Sequence, residues 1–301
     1  MSEDSINWPN FYIVGAPRCG TTSVWSYLKN HPQVFFPKLK EPHYFMSASP
    51  PPGQEKVFPH GNLELYRQIY QNAKGYKAIG DASPGYLWDR NVPRRIHEAS
   101  PHARIVILLR DPVERAHSAY LMQKRLHLDP LPFPEAIQYD FEEADENAWG
   151  AKHWYVEQGL YYEQVKRYLD TFGKEQVGIF LFEDLDKDSR HVTEEIARHI
   201  GVDPRLLAAK DFERAYNRTR TLRFNIGYVA FRPKFISFLR NHIVSQSMRN
   251  RINSSRLLFK YDKPPRDEKA AKYLQSIYEP DLCRLEELLG RKLPELRSSW
   301  I

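Results

Sequence analysis

Four short apolar runs organise the first two hundred residues. Phe11-Tyr12-Ile13-Val14 stops at Gly15, and Tyr76 to Ile79 stops at Gly80-Asp81. Ile105 to Leu109 stops at Arg110-Asp111-Pro112, and Val177 to Phe182 stops at Glu183-Asp184. Apolar runs of this length, interrupted in the second by Lys77, read as buried strands. Each ends in a polar or Gly/Pro turn and is followed by a helical pattern. Strand, turn and helix in repetition predict an α/β fold, with a mostly parallel sheet covered by helices on both faces.

The helical segments follow from the same spacing. Thr21 or Thr22 is placed to cap a helix carrying Val24, Trp25, Tyr27 and Leu28. Pro112 opens another, since the first helical turn tolerates proline, and that helix runs through His117, Ser118 and Leu121. Leu160 to Phe172 and Arg190 to Ile200 are further amphipathic candidates. Residues 128–150 hold three prolines and an acidic cluster, and read as an insertion or substrate-side flap. Residues 225–301 read as helical and basic, broken at Pro264-Pro265. No internal repeat or low-complexity tract interrupts the chain. The expectation is one domain over residues 1–301, with its core at about 10–200.

Composition changes this picture little. Of 301 residues, 42% are apolar and 27% charged, which is ordinary for a globular protein. The formal net charge of +6 favours anionic ligands without demanding one. The basic runs are too short and scattered for a nucleic-acid tail. Cys19 and Cys283 cannot build a disulfide framework, which suits a reducing, cytoplasmic setting. The N-terminus lacks the pattern of a secretory signal, and no apolar run is long enough for a transmembrane segment.

The chemistry concentrates in two places. GAPRCGTT, Gly15 to Thr22, has the G-x-x-x-x-G spacing of a phosphate loop between a strand and a helix. Glycines let backbone N–H groups converge, and the helix N-terminus adds partial positive charge. A nucleotide hydrolase would carry lysine after the second glycine, where Thr21 stands. The cation comes earlier, from Arg18, whose guanidinium can grip phosphate or sulfate oxygens in pairs. The plainer alternative is a tight structural turn, and Cys19 reads as a bystander rather than a nucleophile.

RIVILLRDPVERAHSAYL, Arg104 to Leu121, supplies the second place. Arg110 emerges at the carboxyl end of a strand, where open α/β sheets bind ligands. Ser118 lies two helical turns on, and Arg115 is a weaker third candidate. A local Arg110-Asp111 salt bridge capping the helix is the plainer reading. No EF-hand, HExxH or paired-cysteine pattern calls for a metal.

With KEPHYF, Lys40 to Phe45, these segments resemble the sulfotransferases that use 3′-phosphoadenosine 5′-phosphosulfate (PAPS), most closely the branch of heparan sulfate and related bacterial enzymes. The resemblance covers roughly residues 10 to 200. It implies a P-loop NTPase-like three-layer fold and PAPS as co-substrate, with no metal. Carried over, Arg18, Cys19, Gly20, Thr21 and Thr22 would hold the 5′-phosphosulfate, and Arg110 and Ser118 the 3′-phosphate. Glu41 would be the catalytic base, with His43 as runner-up. Arg220 and Arg223 would lie in a loop over the nucleotide.

Two departures stand out. Arg18 stands where many relatives have lysine. In GDASPGY, Gly80 to Tyr86, Ala82 stands where the family has a lysine, which weighs against a heparan-type acceptor. The implied reaction is sulfuryl transfer to a hydroxyl or amine of a glycan, lipid, small molecule or carrier-bound intermediate. Glu41 would be tuned by burial, Lys40, Arg18 and His43. Asp81 is expected either to orient the acceptor or to bind Arg18. Tyr44, Phe45, Tyr86, Trp88, Trp149 and Trp154 are candidates for a cleft, a lid or the core. A phosphate-loop kinase or NTPase, and a non-catalytic nucleotide- or sulfoglycan-binding module, are the competing readings.

Overall fold

The computed structural model describes residues 7–47, 59–125, 129–142, 155–212, 221–222, 259–260 and 265–300. The chain forms two compact units, one of Met1–Tyr216 with Arg266–Ile301 and one of Asn217–Pro265.

The first unit is built on a parallel sheet. Its strands are β1 (Phe11–Gly15), β2 (Val34–Phe35), β3 (Ala78–Asp81), β4 (Arg104–Leu109) and β5 (Val177–Leu181). The order is β2-β3-β1-β4-β5, with every neighbouring pair parallel. All four expected strands are present. The short edge strand β2 was not expected: its two residues are too few to show a period.

Between the strands run α1 (Thr21–Leu28), α2 (Leu63–Tyr70), α3 (Val92–Ala99), α4 (Pro112–Arg125), α5 (Phe133–Glu142) and α6 (Tyr161–Phe172). After β5 come α7 (Phe182–Lys187) and α8 (Ser189–His199), and α9 (Glu268–Leu289) closes the unit. The result is the P-loop NTPase-like architecture of a central parallel sheet flanked by helices. β1 is wholly buried, as are Ile105 to Leu109 of β4. Burying each large apolar side chain there contributes roughly 2 kcal/mol. Parallel pairing points the carboxyl ends of all strands the same way, so Gly15, Asp81 and Arg110 meet at one edge.

A second core cluster joins α4, α5 and α9. Phe133, Ala136 and Ile137, spaced three and four apart on α5, pack with Val113, Ala116, Leu274 and Tyr278. Thus part of the segment read as an insertion or flap is a helix seated in the body. α9 is tied to α6 by Asp281, which accepts the N–H groups of Tyr161 at 2.7 Å and Tyr162 at 3.1 Å and so caps that helix. Asp111 does the same for α4. Its Oδ1 accepts from Val113 and Glu114 and, at 3.3 Å, from Trp300 Nε1, while its Oδ2 accepts from Ser299 N–H at 2.9 Å.

In the second unit the described residues form a two-stranded antiparallel ribbon, β6 (Thr221–Leu222) with β7 (Phe259–Lys260).

Candidate active site

The loop between β1 and α1 is shaped by its two glycines. A Cβ at Gly15 would fall 2.4 Å from Leu87 Cβ and 2.9 Å from Pro84 O. Gly20 has φ +86°, and a Cβ there would meet Leu185 and Phe182 at 2.8 and 2.9 Å. Gly20, rather than Thr21 or Thr22, caps α1, and no side chain caps it. The two threonines are instead the first helical residues. Among the described residues, the N–H groups of Arg18, Gly20, Thr21 and Thr22 meet no protein acceptor. Such a set of convergent donors at a helix start suits an anion.

Arg18 turns toward α4. Its Nε donates to Ser118 Oγ at 3.2 Å, and one terminal nitrogen meets Met122 Sδ at 3.4 Å. Arg110 donates to Arg18 O at 3.3 Å, pairs with Glu114 at 3.3 Å and lies 4.4 Å over the Phe182 ring. Burial and the neighbouring Arg110 and Arg125 lower the Arg18 pKa to about 10, still fully protonated at neutral pH. Cations that destabilise one another in this way favour an anion between them. The structure thus brings Arg18, Arg110 and Ser118 together.

Two neighbours play other parts. Arg115 is wholly buried and donates inward to Tyr155 O and to Gln158, so it braces the core and does not serve as the third anion ligand. Cys19 is wholly buried against Tyr161, and burial pushes its thiol up to about 12. Its side chain therefore serves packing, as a bystander would, and only its backbone can face the loop.

Glu41 lies on the segment after β2. Lys40 Nζ pairs with its Oε1, and His43 Nε2 is 3.6 Å from Oε2. Burial opposes ionisation of Glu41. The hydrogen bond to His43 and the charge of Lys40 outweigh it and hold the carboxyl at about 2. Arg18 faces Ser118 and takes no part in this tuning, contrary to expectation. The Glu41 side chain keeps 36% of its surface accessible, whereas His43 keeps 9%. An acceptor can therefore reach the carboxylate, while the imidazole is held behind it.

Behind His43 lies a network that the sequence did not reveal. His43 N–H donates to Ser83 Oγ at 3.1 Å, and Ser83 donates to Asp81 Oδ1 at 2.7 Å. Tyr66 and Tyr86 donate to Asp81 Oδ2 at 3.0 and 3.1 Å. Asp81 is fully buried, and burial raises it to about 6 against these hydrogen bonds. It is therefore not a partner of Arg18. Ser83 stood in the GDASP motif as a signal; Tyr66, far off in a helix, carried none. Pro84 and Leu87 of the same segment abut Gly15, and Leu87 N–H donates to Val14 O at 2.7 Å. The segment from Asp81 to Leu87 thus spaces the anion loop from Glu41.

Arg18, Glu41 and His43 have φ of 72°, 60° and 55°, and are the non-glycine residues with positive φ among the described residues. Each costs about 1–2 kcal/mol. Strain of this kind persists where the surroundings over-determine it, commonly at functional sites. Of the aromatic candidates, Phe45 and Tyr86 are core, and Tyr44 stacks on Tyr66 at 4.3 Å. Trp88 is half-buried, and Trp149 and Trp154 lie outside the described residues, as do Arg220 and Arg223. No cluster of metal-ligating residues occurs among the described ones.

Glu183 offers a test of the donor side. Its Oε1 accepts Asp111 N–H at 3.0 Å, and burial raises its carboxyl to about 7. The folded protein therefore binds this proton more tightly than the unfolded chain, whose glutamates titrate near 4.5. Ionisation costs the fold progressively as pH rises between those values, on the order of 3 kcal/mol by pH 8. Glu183→Gln keeps the acceptor oxygen and removes the charge. Its melting temperature should gain on the wild type from pH 5 to pH 8; a pH-independent difference would show that Glu183 is not buried as an acid.

A parallel sheet with a glycine loop running into a helix after its first strand, and an arginine at the end of the neighbouring strand, has the layout of a P-loop-type protein. Residues 9–225 match the Sulfotransferase domain, and the chain belongs to that family. It is 27% identical over 250 residues to carbohydrate sulfotransferase 15 of Homo sapiens, covering 65% of this chain and 44% of that protein. It is 25% identical over 314 residues to the bifunctional heparan sulfate N-deacetylase/N-sulfotransferase 4 of Mus musculus, covering 97% and 31%. The chain thus spans less than half the length of these two relatives. The crystal structure of a sulfotransferase from Alicyclobacillus acidocaldarius is 28% identical, with a TM-score of 0.72, covering 97% of this chain and all of that one.

Proposed function

We propose that this protein transfers the sulfuryl group of PAPS to a hydroxyl, or an amine, of a glycan acceptor. The observation that carries this is the pairing of the Gly15–Thr22 loop with Arg18, Arg110 and Ser118 in a chain of the sulfotransferase family. The carbohydrate and heparan sulfate sulfotransferases among its relatives support a glycan acceptor. The two free cysteines, Cys19 and Cys283, support a reducing, cytoplasmic compartment.

The loop amides and Arg18 bind the 5′-phosphosulfate. Arg110 and Ser118 take the 3′-phosphate. The acceptor oxygen attacks sulfur in line as the bond from sulfur to the bridging phosphate oxygen breaks. That oxygen keeps the electron pair and leaves on 3′-phosphoadenosine 5′-phosphate (PAP), its charge stabilised by Arg18 and the amides. Glu41 accepts the acceptor's proton. Held at about 2 while paired, it is ionised at neutral pH. Its basicity rises when an entering acceptor displaces Lys40 or His43. His43 positions Glu41 in this reading.

Titration of PAP against ATP with magnesium, followed by transfer of labelled sulfate from PAPS to a panel of glycans, lipids and small alcohols, tests the proposal. PAP should bind far more tightly than ATP, and label should move to a glycan. Preference for ATP would favour the kinase alternative. PAP binding without transfer to any acceptor would favour a binding module.

A further inference from the structure

A cavity of about 370 Å³ opens beside the segment that supports His43, lined among others by Trp88, Arg90, Glu157, Glu163, Arg167 and Arg284. A Cβ at Gly85 would lie 3.8 Å from His43 Cε1, and Trp88 follows three residues later. Three residues span at most about 10 Å, so the edge of the cavity lies close to the transfer site.

Most charges in its wall are already matched. Asp281 caps α6. Glu163 pairs with Arg284 at 3.0 Å, and Arg284 stacks at 3.8 Å on Tyr162. Glu157 accepts from Trp88 Nε1 at 3.0 Å. Arg167 differs. It donates through one terminal nitrogen to Leu87 O and Trp88 O, at 3.4 and 3.1 Å. Its Nε is buried without a partner, and it makes no ion pair with any described carboxylate. Burial lowers its pKa, as does nearby Arg90. A half-buried guanidinium in that state gains most from an anion.

We propose that this cavity is an acceptor subsite, in which Arg167 receives the carboxylate of a uronic-acid unit next to the sugar being sulfated. The half-buried indole of Trp88 offers a face for a sugar ring, and the remaining polar groups suit hydroxyls. The subsite also answers the missing lysine at position 82. Ala82 is buried at 3% exposure, so that position presents no charge, whereas Arg167 offers one at the other end of the same segment.

This rests on the glycan reading above, and the test separates the two. An unsulfated hexasaccharide of alternating glucuronate and N-acetylglucosamine, and its carboxyl-reduced form, are titrated calorimetrically into the protein saturated with PAP. The acidic form should bind about tenfold more tightly than the reduced one. Arg167→Gln, which retains a donor for the carbonyls of Leu87 and Trp88, should abolish that difference and leave PAP affinity unchanged. Equal binding of both forms to the wild type, or a preference that survives Arg167→Gln, overturns the subsite and leaves the glycan reading standing. Binding of neither form overturns the subsite too, and the glycan reading then falls only if no glycan of the acceptor panel takes up label. Arg167→Lys, which keeps the charge, should restore part of the preference; a purely structural arginine would show no such dependence on the ligand's carboxylates.

Discussion

Glu41→Gln should lower turnover by about a hundredfold or more while leaving PAP affinity unchanged. The glutamine keeps size and polarity but cannot take a proton, and loss of a general base costs about this much. A factor of one hundred equals about 2.7 kcal/mol in the barrier. The prediction is specific because Glu41 is not among the donor-binding groups: its partners are Lys40 and His43, whereas Arg18 is turned to Ser118. Single-turnover sulfate transfer with PAPS prebound is the measurement. Full turnover in the variant would remove Glu41 from the base role, and His43→Asn would then be the next variant. If PAP affinity fell with turnover, the loss would belong to loop geometry, since Glu41 at φ 60° is held by its surroundings.

The second large effect is expected at Arg110. Arg110→Ala should weaken PAP by roughly a hundredfold, in the range of a lost charge-assisted hydrogen-bond pair. It should leave adenosine 5′-phosphosulfate, which lacks the 3′-phosphate, nearly unaffected. The wild type should therefore discriminate between the two nucleotides and the variant should not. Arg110 reaches this role through a chain of contacts. Its carbonyl accepts Tyr161 OH at 2.8 Å, its guanidinium lies over Phe182, and the neighbouring Asp111 fixes the start of α4. Equal loss of both nucleotides would mean that Arg110 shapes the loop through Arg18 O and does not read the 3′-phosphate.

The sheet was legible because β1 and β4 are buried on both faces and appear as unbroken apolar runs, while β3 and β5, with partly exposed positions, still end in polar turns. The helices were legible from spacing, since α6 and α8 begin and end within a residue of expectation and α4 begins at Pro112. Local spacing also revealed the glycine loop between β1 and α1, because its candidate ligands lie within eight consecutive residues. What escaped was long-range. Tyr66 reaches Asp81 across 15 residues of sequence, and nothing in its helix marks it as a carboxylate ligand. Arg115 read as a weaker third candidate for the anion because it stands near Arg110 in sequence, but its helical position points it at Tyr155 and Gln158. The threonine cap failed for a related reason. With Gly20 in the left-handed region, the chain turns into α1 one residue earlier, leaving the threonines free for a ligand.

The bond from Asp111 to Ser299 spans 188 residues. During synthesis the strand end bearing Arg110 emerges from the ribosome long before its distant brace. The start of α4, next to Arg110, lacks this brace until the residues around 300 have been made. A chain cut before Ser299 should therefore retain PAP less tightly than one that keeps it, and equal retention by the two would show that this distant brace does not reach the nucleotide.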